Sequence, residues 1–210
     1  MFNNRPVDLF LSSIKVKCAV KIISTSEIAA SKWCSFKEST YLDKTGKEQK
    51  WSYIERQNAT TVVSVICKAK NSTKYLFISQ PRVPINKIVV SFPAGLVDPG
   101  ESPGEAALRE LKEETGYQGT VISTSTLMPK SAGLTTESAS VVFCEVDPAA
   151  VGKSAMEETE DIQSFWLTPS AFMSMIATMN HDTTCVEMDT WNYMAGLTTR
   201  RAKKRKARRS

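Results

Sequence analysis

The chain has 210 residues, 41% of them hydrophobic and 23% charged, which excludes a disordered or fibrous protein and makes one domain with a small appendage the natural organisation. Ordinary packing can hold a core of that size. Five scattered cysteines without a C-x-x-C pair argue against a disulfide framework or a zinc site and favour a reducing compartment, and no uncharged apolar run approaches the ~18 residues of a membrane span. The net charge of +5 conceals a division, because eight basic residues between Arg200 and Arg209 leave residues 1–199 at 5 − 8 = −3.

Residues 1–20 carry Arg5, Lys15 and Lys17 against the single acid Asp8, and read either as a loose arm or as a mitochondrial presequence. The segment YLDKTGKEQKWSY, from Tyr41 to Tyr53, places Thr45-Gly46 between two strands as a hairpin. Residues 60–67 (TTVVSVIC) and 75–79 (YLFIS) are β-branched and aromatic and read as paired strands. Four more strands follow at 87–92, 118–123, 139–146 and 162–167. Helices are expected at 103–115, 169–179 and about 186–197. The class is therefore α/β in the α+β sense, with a mixed sheet and helices packed on it.

The stretch FPAGLVDPGESPGEAALRELKEETGYQG, residues 92–119, carries the chemistry. Ser102 as cap, Pro103 at the first helical position and Glu105 three residues beyond the serine form a capping box, and Gly116 supplies the stop. At about 100° per residue, Glu110, Glu113 and Glu114 share one arc of roughly 100°. Such crowding is unfavourable by a few tenths of a kcal/mol per pair. A hard divalent cation with phosphate ligands would offset it, the alternative being a solvated acidic face.

Gly95, Glu101, Arg109-Glu110, Leu111, Glu113-Glu114, Gly116 and Tyr117 stand at the spacing G-x5-E-x7-R-E-U-x-E-E-x-G-U, which closely resembles the Nudix hydrolase signature. Tyr117 is the one soft departure, at a position usually aliphatic. The resemblance implies a mixed sheet sandwiched between helices and hydrolysis of a nucleoside diphosphate linked to another group, with Mg²⁺ or Mn²⁺ bound. It assigns Glu110, Glu113, Glu114 and the carbonyl of Ala94 to the metal, and gives Arg109 the task of orienting a carboxylate, either Glu101 or Glu113.

Outside the signature the chain resembles the ADP-ribose and ADP-sugar diphosphatases, through SKWCSFKESTYLDKTGKEQKWSYIER, QPRVP and FPAGLVD. That likeness implies a homodimer in which Trp33 and Trp51, one from each subunit, sandwich adenine. Core or interface packing is the other reading of these tryptophans. Arg56 and Arg82 are expected on the diphosphate and ribose, surface ion pairs being the alternative, and the backbone of Leu96 is expected near the substrate. Ser52 and Ser131 replace acids of the human-like members, which leaves base and sugar preference open. The water-activating base is expected from the acidic loop before the strand at 162–167, with Glu160 or Glu158 the candidates, or from Glu137 in GLTTES.

The implied organisation is a β-rich dimerisation and base-recognition arm at 1–58, a hydrolase domain at 59–197 and a disordered basic tail at 198–210. The products would be AMP and a sugar phosphate such as ribose 5-phosphate. Two other functions stay open: hydrolysis of oxidised nucleoside diphosphates, dinucleotides or capped RNA, and a non-catalytic ADP-ribose or nucleic-acid binding module. The tail is the feature that would contact nucleic acid or direct the chain to the nucleus, unless it is simply a solvated end. Cytoplasm, nucleus and mitochondrion are the candidate compartments. His181, the sole histidine, is expected to have a structural or surface role.

Overall fold

The structure is a computed structural model that describes residues 20–57, 61–156 and 160–207, the last eight by their backbone alone. The chain divides into two compact units, Met1–Gln57 and Asn58–Ser210.

In the first unit β1 (Lys21–Ala30), β2 (Cys34–Leu42) and β3 (Glu48–Arg56) form an antiparallel sheet in chain order. The β2–β3 turn is built by Asp43, whose Oδ1 accepts from the Thr45 N–H at 2.8 Å, the Thr45 hydroxyl at 2.6 Å and the Lys47 N–H at 3.1 Å. Those donors, the Thr45 hydroxyl first, hold the Asp43 carboxyl down at about 2. Gly46 takes the left-handed conformation that closes the turn, with φ 85°. Strand β1 was not expected from the sequence. All ten of its residues are exposed, so no buried face imposes the alternation by which strands are read.

The second unit contains β4 (Thr61–Ala69), β5 (Tyr75–Arg82), β6 (Lys87–Ser91), β7 (Ala94–Leu96), α1 (Pro103–Thr115), β8 (Tyr117–Thr124), β9 (Met128–Pro129), β10 (Ser138–Val151), β11 (Gln163–Leu167), α2 (Pro169–Thr178), β12 (Thr184–Val186) and α3 (Met188–Ala207). The expected pairing of β4 with β5 is limited to one residue pair, Lys68 with Tyr75. The principal partner of β4 is β10, which runs parallel to it from Thr61–Ser138 to Ala69–Val146, while β7 lies antiparallel to β4. A strand buried on both faces is suited to a parallel, internal place, and β4 is buried from Val63 to Cys67. Strands β6 and β11 flank β5, β8 and β9 pair with β10, and β12 pairs with β6. Helix α3 runs past the expected end at Leu197 and carries the backbone of 198–207.

Alternation along β4 divides the core. Val63, Val65 and Cys67 pack with Ala106, Ala107 and Leu111 of α1 and with Val142, Cys144 and Val146 of β10. On the opposite face Ile66 packs with Phe77, Val90, Phe92, Phe172 of α2 and Met194 of α3. The sheet is thus sandwiched between helices, as expected. The four described cysteines are free. Among the described residues no helix is long and apolar enough to cross a membrane.

Candidate active site

Helix α1 begins and ends where its residues require. The Ser102 hydroxyl accepts from the Glu105 N–H at 3.3 Å, the Glu105 carboxylate accepts from the Ser102 N–H at 2.8 Å, and Gly116 is left-handed at φ 75°. Its buried face rests on β4 and β10. The helix is therefore fixed in rotation, and with it the placement of Glu110, Glu113 and Glu114.

Arg109 organises the surrounding loop. Its Nε and Nη2 donate to the two oxygens of Glu101, each at 3.0 Å, and Nη2 also donates to the Leu96 carbonyl at 2.8 Å. Nη1 is shared between Glu110 at 2.9 Å and Glu113 at 3.1 Å. One guanidinium thus ties β7, the loop before the helix and two helical carboxylates together, which no ammonium group could do with fixed geometry. The Arg109 hydrogen bonds hold the Glu101 carboxyl below its ordinary value. Asp98, not singled out in the sequence, lies 3.9 Å from the same Nη2.

Glu110 and Glu114 are placed differently. Glu114 is only 5% exposed, and its Oε2 accepts from the Ala94 N–H at 3.2 Å. Burial, the Glu110 and Glu160 carboxylates together push its carboxyl up to about 8, against the Ala94 N–H and Arg82. Burial also raises Glu110, with Arg109 opposing and Glu113 and Glu160 adding to the rise. The Glu110 carboxylate lies against the α-carbon of Gly95, where any β-carbon would overlap it. The glycine that opens the signature thus lets the Glu110 carboxylate close on the backbone, and a larger residue would displace that carboxylate.

These observations test whether the residues suit a divalent cation. Among the described residues no three His, Cys, Asp or Glu side chains close around a point as a ready cage. The donor chemistry nevertheless fits: these are hard oxygen ligands whose carboxyls are raised by burial first and by neighbouring carboxylates second, and a cation would relieve both.

The remaining expected residues are distributed as follows. Arg82, at the end of β5, and Glu160 both lie within electrostatic reach of Glu114. Glu137 lies in the turn from β9 to β10, where its carbonyl accepts from the Lys130 N–H at 3.0 Å. Glu158 lies outside the described residues. Leu96 is engaged through its carbonyl by Arg109, and Ala94 contributes its N–H to Glu114, a role no side-chain pattern signals.

In the first unit Trp33 is 64% and Trp51 52% exposed, and Lys32 Nζ sits 4.5 Å from the Trp33 ring centroid. The Gln57 N–H donates to the Trp33 carbonyl, so Trp33 is level with the end of β3, whereas Trp51 pairs with Ser39. Six residues of strand separate the two levels, about 20 Å. Trp51 and Arg56, five residues apart on β3, stand on opposite faces. Two tryptophans at that separation do not form a sandwich within one chain.

The sequence profile of the NUDIX domain family matches residues 58–184. The chain is 32% identical over 179 residues to the ADP-ribose pyrophosphatase of Saccharomyces cerevisiae, covering 78% of each. It is 36% identical over 136 residues to the ADP-sugar pyrophosphatase of Mus musculus, covering 60% of this chain and 62% of that one. A solved ADP compounds hydrolase shares the fold, with a TM-score of 0.66 at 16% identity over 89% of this chain and 96% of the other. The signature helix, its arginine-tied loop and the match over more than half the sequence agree, and the chain belongs to the NUDIX domain family.

Proposed function

We propose that this protein hydrolyses the diphosphate of ADP-ribose or a related ADP-sugar, with a divalent cation, to AMP and a sugar phosphate such as ribose 5-phosphate. The observation that carries the reading is the Glu110–Glu114 pair on α1, whose withdrawal from water makes ionisation unfavourable without a partner, so that a cation is favoured beside it. The yeast and mouse relatives, named for ADP-ribose and ADP-sugar pyrophosphatase, point to the same substrate class.

Glu110, Glu113 and Glu114, with the Ala94 carbonyl, would hold Mg²⁺ or, alternatively, Mn²⁺, a group that neutralises phosphate charge and makes bound water acidic. Arg109 keeps Glu110 and Glu113 oriented and locks the preceding loop through Glu101 and Leu96. Arg82 offers its guanidinium to diphosphate oxygens. Glu160 accepts the proton of the attacking water, whose oxygen bonds to phosphorus as the phosphorus–oxygen bond of the diphosphate breaks. Trp33 and Trp51 stack on adenine, one from each chain of a homodimer, because their separation on one sheet is too great for a single ring. Arg56 completes the arm's contribution to the diphosphate and ribose.

A second reading, in which the group beyond the diphosphate is aromatic as in a dinucleotide, is favoured by a cavity of about 410 Å³. It lies on the face of β4 away from α1 and is lined by Ile66, Phe92, Val141, Phe143, Tyr193 and Lys130. Such a lining suits a flat ring better than a ribose.

The test is turnover of ADP-ribose, ADP-glucose, diadenosine diphosphate, 8-oxo-dGDP and capped RNA with Mg²⁺ and with Mn²⁺, for wild type and Glu114→Gln. Preferred turnover of ADP-ribose, lost in the variant and without metal, is expected. Preference for diadenosine diphosphate favours the second reading, and no turnover of any member by wild type overturns both.

A further inference from the structure

The segment that leads to Glu160 is fastened to the helix that carries the acidic cluster. The Gly152 N–H donates to the Gly116 carbonyl at 2.8 Å, and the Ala155 N–H donates to the Glu113 carbonyl at 2.9 Å. The second bond satisfies a carbonyl that the end of α1 would otherwise leave to solvent.

The fit between the two glycines is close. A β-carbon on Gly116 would overlap the Gly152 carbonyl oxygen, and one on Gly152 would lie 3.2 Å from the Gly116 carbonyl oxygen. Gly152 is not among the residues of positive φ, so close approach rather than backbone conformation is what suits glycine there. Gly116 thus has two tasks: it ends α1, and it leaves a flat seat for the arriving chain. Residues 152–156 belong to no strand or helix, and none of them is buried. Hydrophobic packing does not hold them, and the two backbone bonds do. Beyond them Glu160 stands within electrostatic reach of Glu110 and Glu114, and Ile162 is buried.

We propose that Gly152 is a positioning residue, and that its clasp on Gly116, with Ala155 on the Glu113 carbonyl, sets the approach of the acidic segment so that Glu160 meets the attacking water. The proposal rests on the hydrolase reading with Glu160 as base. The clasp fixes the chain at Ala155, five residues before Glu160. With the clasp open both of these ties are lost, and a base placed even 1 Å away from its water costs up to about a hundredfold in rate.

The test compares wild type, Gly152→Val, Glu160→Gln and the double variant in the full chain, with Ala155→Pro as a second way to remove a clasp donor. Gly152→Val is expected to lower kcat about tenfold to a hundredfold, while KM for ADP-ribose and the thermal midpoint stay at wild-type values and amides 153–156 exchange faster. Adding Gly152→Val to Glu160→Gln is expected to cost nothing more, because the clasp acts through that carboxylate. Wild-type kcat in both clasp variants, beside an inactive Glu160→Gln, overturns the clasp and leaves the hydrolase reading standing. A double variant that loses the product of the two single effects also overturns it. Wild-type turnover by Glu160→Gln removes the base assignment itself and the clasp's role with it.

Discussion

The two units keep the side chains proposed to act on substrate and metal in opposite states. In the N-terminal sheet Trp33 and Trp51 stand more than half exposed, and Asp43, the one sharply perturbed carboxyl among its described residues, is only partly covered and is shaped by its own turn. In the larger unit Glu110 and Glu114 are withdrawn from water, and burial is the first cause of their raised carboxyls. On the proposed reading, stability and function are therefore nearly separable in the sheet and opposed on the helix, where the charges that would serve the reaction weaken the fold that presents them.

Variants can break this contrast. Glu114→Gln should lower kcat/KM about a thousandfold, in the range for loss of a group acting on the transition state, and should also raise the thermal midpoint of the metal-free protein at pH 8. Steady-state kinetics beside calorimetry reads both, and a lower midpoint would mean that the buried charge is not a burden. Trp51→Ala should raise KM for ADP-ribose about tenfold to a hundredfold, the worth of one stacking face, and leave the melting curve in place. A midpoint lowered by several degrees would make Trp51 a structural residue and dissolve the contrast from the other side. Gly95→Ala forces the Glu110 carboxylate to move, and should lower kcat about tenfold with little loss of secondary structure by circular dichroism.

The smallest effect is the pH dependence of the metal-free fold. Between the ordinary carboxyl value and about 8 the native chain holds a proton on Glu114 that the unfolded chain has released. Stability must then fall as pH rises through that window, and it is fully present only below it. Urea titrations from pH 5 to 9 should show the decline, and Mg²⁺ should flatten it by binding the ionised form. A flat metal-free profile would show that Glu114 ionises as freely as an exposed carboxylate.

Much of this was legible in the residues. The bounds of α1 follow from Ser102, Pro103, Glu105 and Gly116, whose capping and termination chemistry is local. The Asp43–Lys47 turn follows from the Thr45-Gly46 pair for the same reason. Strand β1 was not legible, because a fully exposed strand carries no periodicity, and β4–β10 pairing was not, because strand propensity names no partner. At the site the signature named the carboxylates and Arg109. It could not announce contacts made by backbone atoms: Ala94 N–H on Glu114, the Leu96 carbonyl on Arg109, and the Gly116–Gly152 seat.

The parallel pairing of β4 with β10 also governs when the site can form. Thr61 is matched with Ser138, 77 residues later, and the whole signature lies between them. A chain emerging from the ribosome can cap α1 early, yet the surface on which Ala107 and Leu111 rest is complete only after Val146 has been made. Closing so distant a contact is slow, and folding should proceed in milliseconds to seconds rather than microseconds. During that interval the acidic face of α1 remains in water, where its charges cost little. They become a burden only once β10 is in place, so a divalent cation held there would act late in folding rather than on its nucleus.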